Sequence, residues 1–153
     1  MILDVVRARN RRSWTPLDGL HPPQVAFLND PAKRKAALCT RRAGKTTALI
    51  RALLQSATAL PGSISVFICE TREVARRIIW SDLQKLDAEY RLGMRFNGST
   101  LEVTTPHGSQ IWLTGAKDEG EISKLRGQKY ARVILDESGS FRSHMEQIGR
   151  AHV

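Results

Sequence analysis

The segment that most constrains how this chain can fold is residues 39–46, with the sequence CTRRAGKT. It matches the phosphate-binding pattern G-x-x-x-x-G-K-[ST] at every fixed position except the first, where Cys39 replaces glycine. The apolar run at 36–39 predicts a buried strand before it. Apolar residues at three- and four-residue intervals after Lys45 predict a helix that runs to about Thr58. This context predicts a phosphate-binding loop, and the alternative is a chance Gly-Lys-Thr at a helix start.

Such a loop works because its N–H groups and the positive end of the following helix converge on phosphate oxygens. Lys45 would neutralise the β- and γ-phosphates of a nucleotide, and the Thr46 hydroxyl would ligate Mg²⁺. Without the first glycine, we expect a loop of non-standard shape. The residues predicted to contact the nucleotide here are Thr40, Arg41, Arg42, Ala43, Gly44, Lys45, Thr46 and Thr47. The two arginines contact phosphate or are solvated loop charges.

The rest of the chain continues the alternation of strands and helices. Apolar runs predict strands at 64–69 and 132–135, and helical spacing predicts a long amphipathic helix at 74–90. Partial alternation at 100–104 and 110–114 predicts a hairpin, followed by a polar stretch with a short helix. This rhythm is typical of one α/β domain with a mostly parallel sheet flanked by helices.

The strand predicted at 132–135 ends in two adjacent acids, Asp136 and Glu137. Ligands of open α/β sheets bind outside the carboxyl ends of the strands. The first acid can hold Mg²⁺ together with Thr46, and the second can orient and deprotonate an attacking water. The alternative is a pair of solvated acids in a turn.

Composition sets the class of partner. Lys and Arg number 24 against 15 Asp and Glu, which gives a net charge of +9 and favours a polyanion such as nucleic acid. Both cysteines, Cys39 and Cys69, lie in apolar runs and are expected to be buried free thiols. With no signal-like or membrane-length apolar stretch, we expect a protein of a reducing cytoplasm without a membrane partner.

Gln24, in a short predicted helix at 24–28, is a candidate for reading adenine. A primary amide can donate to and accept from the N6/N7 edge of that base. Phe27 or Trp14 could stack on the ring. A surface glutamine in a short helix is the alternative.

Taken together, Pro23-Gln24, the loop at 40–46 and the acidic pair resemble the N-terminal ATPase region of the large terminase subunit of tailed bacteriophages, the motor that packages DNA. The likeness extends from about Leu20 to Ser138. It also includes Cys69-Glu70-Thr71-Arg72 with Ala75, Arg76 and Trp80, and Leu125-Arg126-Gly127 before the acidic strand.

The resemblance implies a P-loop NTPase fold that binds ATP and Mg²⁺ in a single domain. It divides the chain into an arm at 1–19, an adenine-motif segment at 20–35 and a P-loop core at 36–153. It implies that Lys45 binds phosphate, Thr46 and Asp136 hold the metal, Glu137 is the catalytic base and Arg41 touches the γ-phosphate. An arginine finger from a neighbouring subunit is also implied, and Arg126 is one candidate for it, the alternative being a solvated loop charge.

As partners, the resemblance implies double-stranded DNA, the portal protein, the small terminase subunit and a homo-oligomeric ring, in the host cytoplasm. Members of the family continue after the acidic pair through a coupling strand and a nuclease domain, whereas only 16 residues follow Glu137 here. We therefore expect the nuclease domain to be absent and the sheet to be incomplete at its C-terminal end.

Two other functions are compatible with the sequence. One is a helicase-like ATPase, although that class usually has Ala, Cys or His where Ser138 stands. The other is a non-catalytic remnant that binds nucleotide or DNA.

Overall fold

The chain folds into one mixed sheet with helices packed against it, in a computed structural model that describes residues 14–40, 42–117 and 119–136. The helices are α1 (Pro22–Asn29), α2 (Lys45–Ala59), α3 (Arg72–Ala75), α4 (Ser81–Tyr90) and α5 (Glu119–Lys124). The strands are β1 (Ile64–Cys69), β2 (Arg95–Asn97), β3 (Glu102–Thr104), β4 (Gln110–Gly115) and β5 (Arg132–Leu135). A π-helical turn, Arg76–Trp80, joins α3 to α4 within the long helix that the sequence predicts.

The sheet has the strand order β2-β3-β4-β1-β5. Strand β1 lies in the middle of a parallel trio and pairs with β4 on one side and β5 on the other. The predicted hairpin is confirmed, because β3 and β4 pair antiparallel. Strand β2, which pairs antiparallel with β3, was not predicted. It has only three residues, too few for an alternating pattern to be visible.

Helices cover both faces of the parallel trio, which is why β1 is almost continuously apolar. Phe67 and Cys69 face the larger core beneath α2 and the π-helical turn, and Val66 and Ile68 face a smaller core that includes Ile122 of α5. Of the positions predicted for the inner face of α2, Ala48, Ala52, Leu53 and Ala57 are buried and Leu49 is partly buried. The α/β fold class is therefore confirmed.

The prediction of a strand at 36–39 is wrong. This segment is irregular and exposed, and Leu38 is fully exposed. Its neighbour Cys39 is also exposed, whereas Cys69 is buried as predicted. An apolar run forms a strand only where a neighbouring strand supplies hydrogen-bond partners, and no described strand pairs with 36–39.

Several expectations fall on residues 1–13, Arg41, Asp118 and 137–153, which lie outside the described ranges. The division into arm, adenine-motif segment and core stays a prediction. Within the described ranges, no helix is both long enough and apolar enough to cross a membrane.

Candidate active site at the carboxyl edge of the sheet

The phosphate loop and the end of β5 meet at one edge of the sheet. Lys45 Nζ lies 3.3 Å from Asp136 Oδ1. The side chain of Lys45 is 35% exposed and that of Asp136 is 17% exposed. Asp136 is held at the strand end because its N–H donates to the carbonyl of Ile68 in β1. The two predicted motifs, about 90 residues apart in the sequence, therefore share one site.

The loop reaches this position through two left-handed residues. Gly44 precedes α2 with φ of +74°, and Arg42 has φ of +65°. Positive φ is costly for a residue with a β-carbon and is typical of strained functional loops. Lys45 and Thr46 then form the first turn of α2, where backbone N–H groups have no intrahelical acceptor. This end of the helix favours an anion.

Gln24 connects α1 to the phosphate loop. Its Nε2 donates to the carbonyl oxygen of Gly44 at 2.9 Å, and its Oε1 accepts from the backbone N–H of His21 at 2.8 Å. A β-carbon at position 44 would lie only 2.5 Å from Gln24 Nε2, so this contact also requires glycine. The amide keeps a second N–H and a second lone pair for a base. Its contact with adenine remains a prediction.

The oxygen ligands fit Mg²⁺. Asp136 Oδ1 is buried and, despite its proximity to Lys45, accepts no hydrogen bond within the described ranges. Thr46 adds a half-buried hydroxyl in the first turn of α2. No group of three or more His, Cys, Asp or Glu side chains is arranged to hold a metal in the described part of the chain. Because Mg²⁺ usually takes one or two carboxylates together with substrate phosphates and water, a single aspartate with a threonine is sufficient.

A second cluster of charged residues lies along the same edge of the sheet and includes residues of the segment Cys69-Glu70-Thr71-Arg72. Glu121 in α5 lies 2.7 Å from Lys124 and 3.6 Å from Arg72, and it accepts a hydrogen bond from the Thr114 hydroxyl. Thr71 caps α3 by accepting from the Val74 N–H. Glu70 forms an ion pair with Lys117. These residues join α3 and α5 to the ends of β1 and β4.

The other predicted residues divide into three groups. Arg41 and Glu137 lie outside the described ranges, so their roles stay predictions. The exposed residues are Thr40, Arg42, Ala43, Thr47 and Arg126. The two candidates for stacking on adenine have other neighbours: Trp14 stacks on Tyr90 with 5.1 Å between ring centroids, and Phe27 lies beneath Lys35.

The roles of two residues were not predicted from the sequence. His21 contributes its backbone N–H, which no side-chain pattern reveals. Arg51 lies on α2 in a pattern that places it among core residues, yet arginine is usually assigned to the solvent face. Its burial depends on the rings of Trp14 and Tyr90, which lie against the guanidinium, and no spacing within α2 indicates that contact.

Comparison with known proteins gives structural matches only. Neither a protein-family model nor a curated protein sequence matches the chain. The ATPase domain of the Thermus phage P74-26 large terminase superposes with a TM-score of 0.68 and 24% identity, over 86% of this chain and 59% of that one. The large terminase of a thermophilic bacteriophage, referred to below as the thermophilic-phage terminase, gives a TM-score of 0.69 and 18% identity, over 85% of this chain and 35% of that one. The same terminase in complex with ADP gives a TM-score of 0.66 and 17% identity, over 86% of this chain and 36% of that one.

The chain therefore has the fold of a phage large terminase ATPase domain. It spans 59% of the P74-26 domain and 35% of the thermophilic-phage terminase. The likeness to terminases that the sequence motifs indicated is confirmed at the level of the fold. At this level of sequence identity the match shows the fold, and the chemistry depends on the residues of this chain.

Proposed function

We propose that this chain is the ATP-binding and ATP-hydrolysing part of a DNA-packaging motor of the large terminase type. The observation that carries the proposal is the 3.3 Å contact between Lys45 and Asp136, which joins the phosphate loop to the acidic strand. The thermophilic-phage terminase, similar in fold, has been solved with ADP and with ATP-γ-S. Nucleotide binding at the carboxyl edge of this sheet is the function most consistent with both observations.

Each residue has a role that follows from its position and chemistry. Lys45 would leave Asp136 to neutralise the β- and γ-phosphates, and the free N–H groups of the first turn of α2 would bind phosphate oxygens. Asp136 and Thr46 would hold Mg²⁺, which when bound neutralises charge on the phosphates. Gln24 would read adenine with the donor and the lone pair that its present hydrogen bonds leave free.

The two remaining catalytic roles fall to residues outside the described ranges. Glu137, next to Asp136 in the sequence, would orient the attacking water and take its proton. Arg41, within the phosphate loop, would contact the γ-phosphate. Arg126, exposed in the turn after α5, is the candidate for a finger that reaches a neighbouring subunit.

Coupling of hydrolysis to DNA movement belongs to the same proposal. The net charge of +9 suits contact with phosphates of double-stranded DNA. The complete motor would act as a homo-oligomeric ring with the portal protein and the small terminase subunit, in the host cytoplasm.

The decisive experiment measures binding of a fluorescent ATP analogue with and without Mg²⁺. Lys45→Ala should weaken binding by more than about tenfold, because a charge-assisted contact to phosphate is lost. Lys129→Ala, at an exposed lysine in the loop before β5, is the matched control and should bind like the parent chain. Equal affinities for both variants would remove the assignment of the phosphate loop.

Hydrolysis and DNA binding are measured next. Phosphate release that Glu137→Gln abolishes without loss of ATP binding supports a catalytic motor domain, whereas tight binding without release indicates a non-catalytic chain. The affinity for double-stranded DNA should fall with salt, with a logarithmic slope of about 0.9 per phosphate contact. A salt-independent affinity would contradict the electrostatic contact with DNA.

A further inference from the structure

A cleft of about 160 Å³ lies between α2 and α4. It is lined by Thr47, Ile50 and Arg51 from α2 and by Asp82, Lys85 and Leu86 from α4. Apart from Thr47, none of these residues belongs to the nucleotide site proposed above. The cleft has room for a few water molecules or for one small polyatomic ion.

The most unusual residue of this lining is Arg51, which is 7% exposed. Its guanidinium carbon lies 5.1 Å from the centroid of the Trp14 ring and 5.9 Å from that of Tyr90. Neither Nε nor Nη1 has a hydrogen-bond partner, and no carboxylate forms an ion pair with Arg51 within the described ranges. The aromatic rings stabilise the positive charge but accept few hydrogen bonds from its N–H groups.

A buried guanidinium is normally matched by a carboxylate or a phosphate, because its planar array of donors fits two oxygens of such a group. Two of the other polar residues of the cleft fit the same kind of ligand. Thr47 offers a hydroxyl donor, and Lys85 offers a second cation. Asp82 is the only acid of the lining, and Lys85 already lies 3.3 Å from it. The lining thus holds two cations against one acid.

We propose that the cleft between α2 and α4 binds a phosphate-type oxyanion, free or as the end group of a phosphomonoester, with Arg51 as its main ligand. Lys85 turns from Asp82 towards the anion, and Thr47 donates from the start of α2. Since α2 follows the phosphate loop directly, an occupied cleft would hold this helix against α4. The site does not depend on the chain being an ATPase.

The test is calorimetric titration of the Lys45→Ala protein with inorganic phosphate and, separately, with glycerol phosphate. Lys45→Ala weakens phosphate binding at the phosphate loop and so separates it from binding in the cleft. Saturable binding of either probe is expected, and a preference for one identifies whether the anion is free or esterified. In this background, Arg51→Met should weaken binding at least about tenfold. Lys85→Met, at a lysine 74% exposed, should weaken it about two- to fivefold.

Lys129→Met serves as the matched loss of one surface charge outside the cleft and should leave the affinity unchanged. Circular dichroism checks that Arg51→Met folds. Should it not fold, Lys85→Met against Lys129→Met decides the matter, because both residues are exposed lysines. Absence of saturable binding, or equal affinities for the Lys85 and Lys129 variants, would overturn the proposal.

Discussion

The ion pair between Lys45 and Asp136 should stabilise the fold measurably more than an exposed ion pair of the same length. The chain contains such a pair, because Lys85 Nζ lies 3.3 Å from Asp82 Oδ1, the same separation as in the Lys45–Asp136 pair. The carboxylate of Asp136 is 17% exposed and that of Asp82 is 42% exposed. The two pairs therefore differ in burial, and also in that Lys85 and Asp82 lie three residues apart in one helix. Their energies can be compared at equal separation.

The magnitude follows from Coulomb's law at this separation. Two unit charges 3.3 Å apart attract by about 5 kcal/mol at an effective dielectric constant of about 20. Solvent screening at the exposed third of Lys45 and at the partly exposed carboxylate offsets most of this, leaving a coupling energy of about 1–2 kcal/mol. For Lys85 and Asp82, solvent screening leaves about 0.3–0.5 kcal/mol.

Two double-mutant cycles measured by urea unfolding without nucleotide test this difference. The first combines Lys45→Met with Asp136→Asn, and the second combines Lys85→Met with Asp82→Asn. Lys45→Met alone should cost about 2–3 kcal/mol, since it leaves a mostly buried carboxylate without its cation. Asp136→Asn should cost less, because the freed lysine can turn to solvent.

The result that would refute this reasoning is a coupling energy for Lys45 and Asp136 no larger than that for Lys85 and Asp82. The two side chains would then not be in contact in solution. The proposed site shared by phosphate and metal would then lose its geometric basis, whatever the fold.

Two further predictions concern stability. Gly115→Ala should lower the free energy of unfolding in urea by about 3 kcal/mol or more, since a β-carbon there would lie 2.5 Å from the Arg72 backbone nitrogen. The control Gly62→Ala has open space around the β-carbon but a φ of +76°, and it should cost only about 1–2 kcal/mol. The reverse order of the two costs would contradict the packing of β4 on α3. Burial raises the pKa of Tyr130 above 10.0, so the unfolded chain loses this proton first and stability should fall as the pH rises above about 10. Tyr130→Phe should reduce that fall while costing about 1 kcal/mol at neutral pH through the lost hydrogen bond to Leu125; an unchanged pH dependence would show that other groups cause it.

The sequence alone determined most of the local elements and predicted the chemistry of the loop. Helical spacing located α2, and apolar runs located β1 and β5, because strands between two layers of helices are rich in apolar residues. The order of the phosphate loop and the acidic pair indicated a nucleotide site. These are properties of residue type and spacing, which do not depend on distant contacts.

Only the tertiary structure decided which elements pair and which side chains meet. The run at 36–39 reads like β1 in the sequence but lies exposed, because hydrogen-bond partners from another strand, and not its own residues, make a segment a strand. The hydrogen bond from Gln24 to Gly44 and the burial of Arg51 against Trp14 arise between segments distant in the sequence. Local patterns carry no record of such contacts, since they are fixed by how helices pack on the sheet.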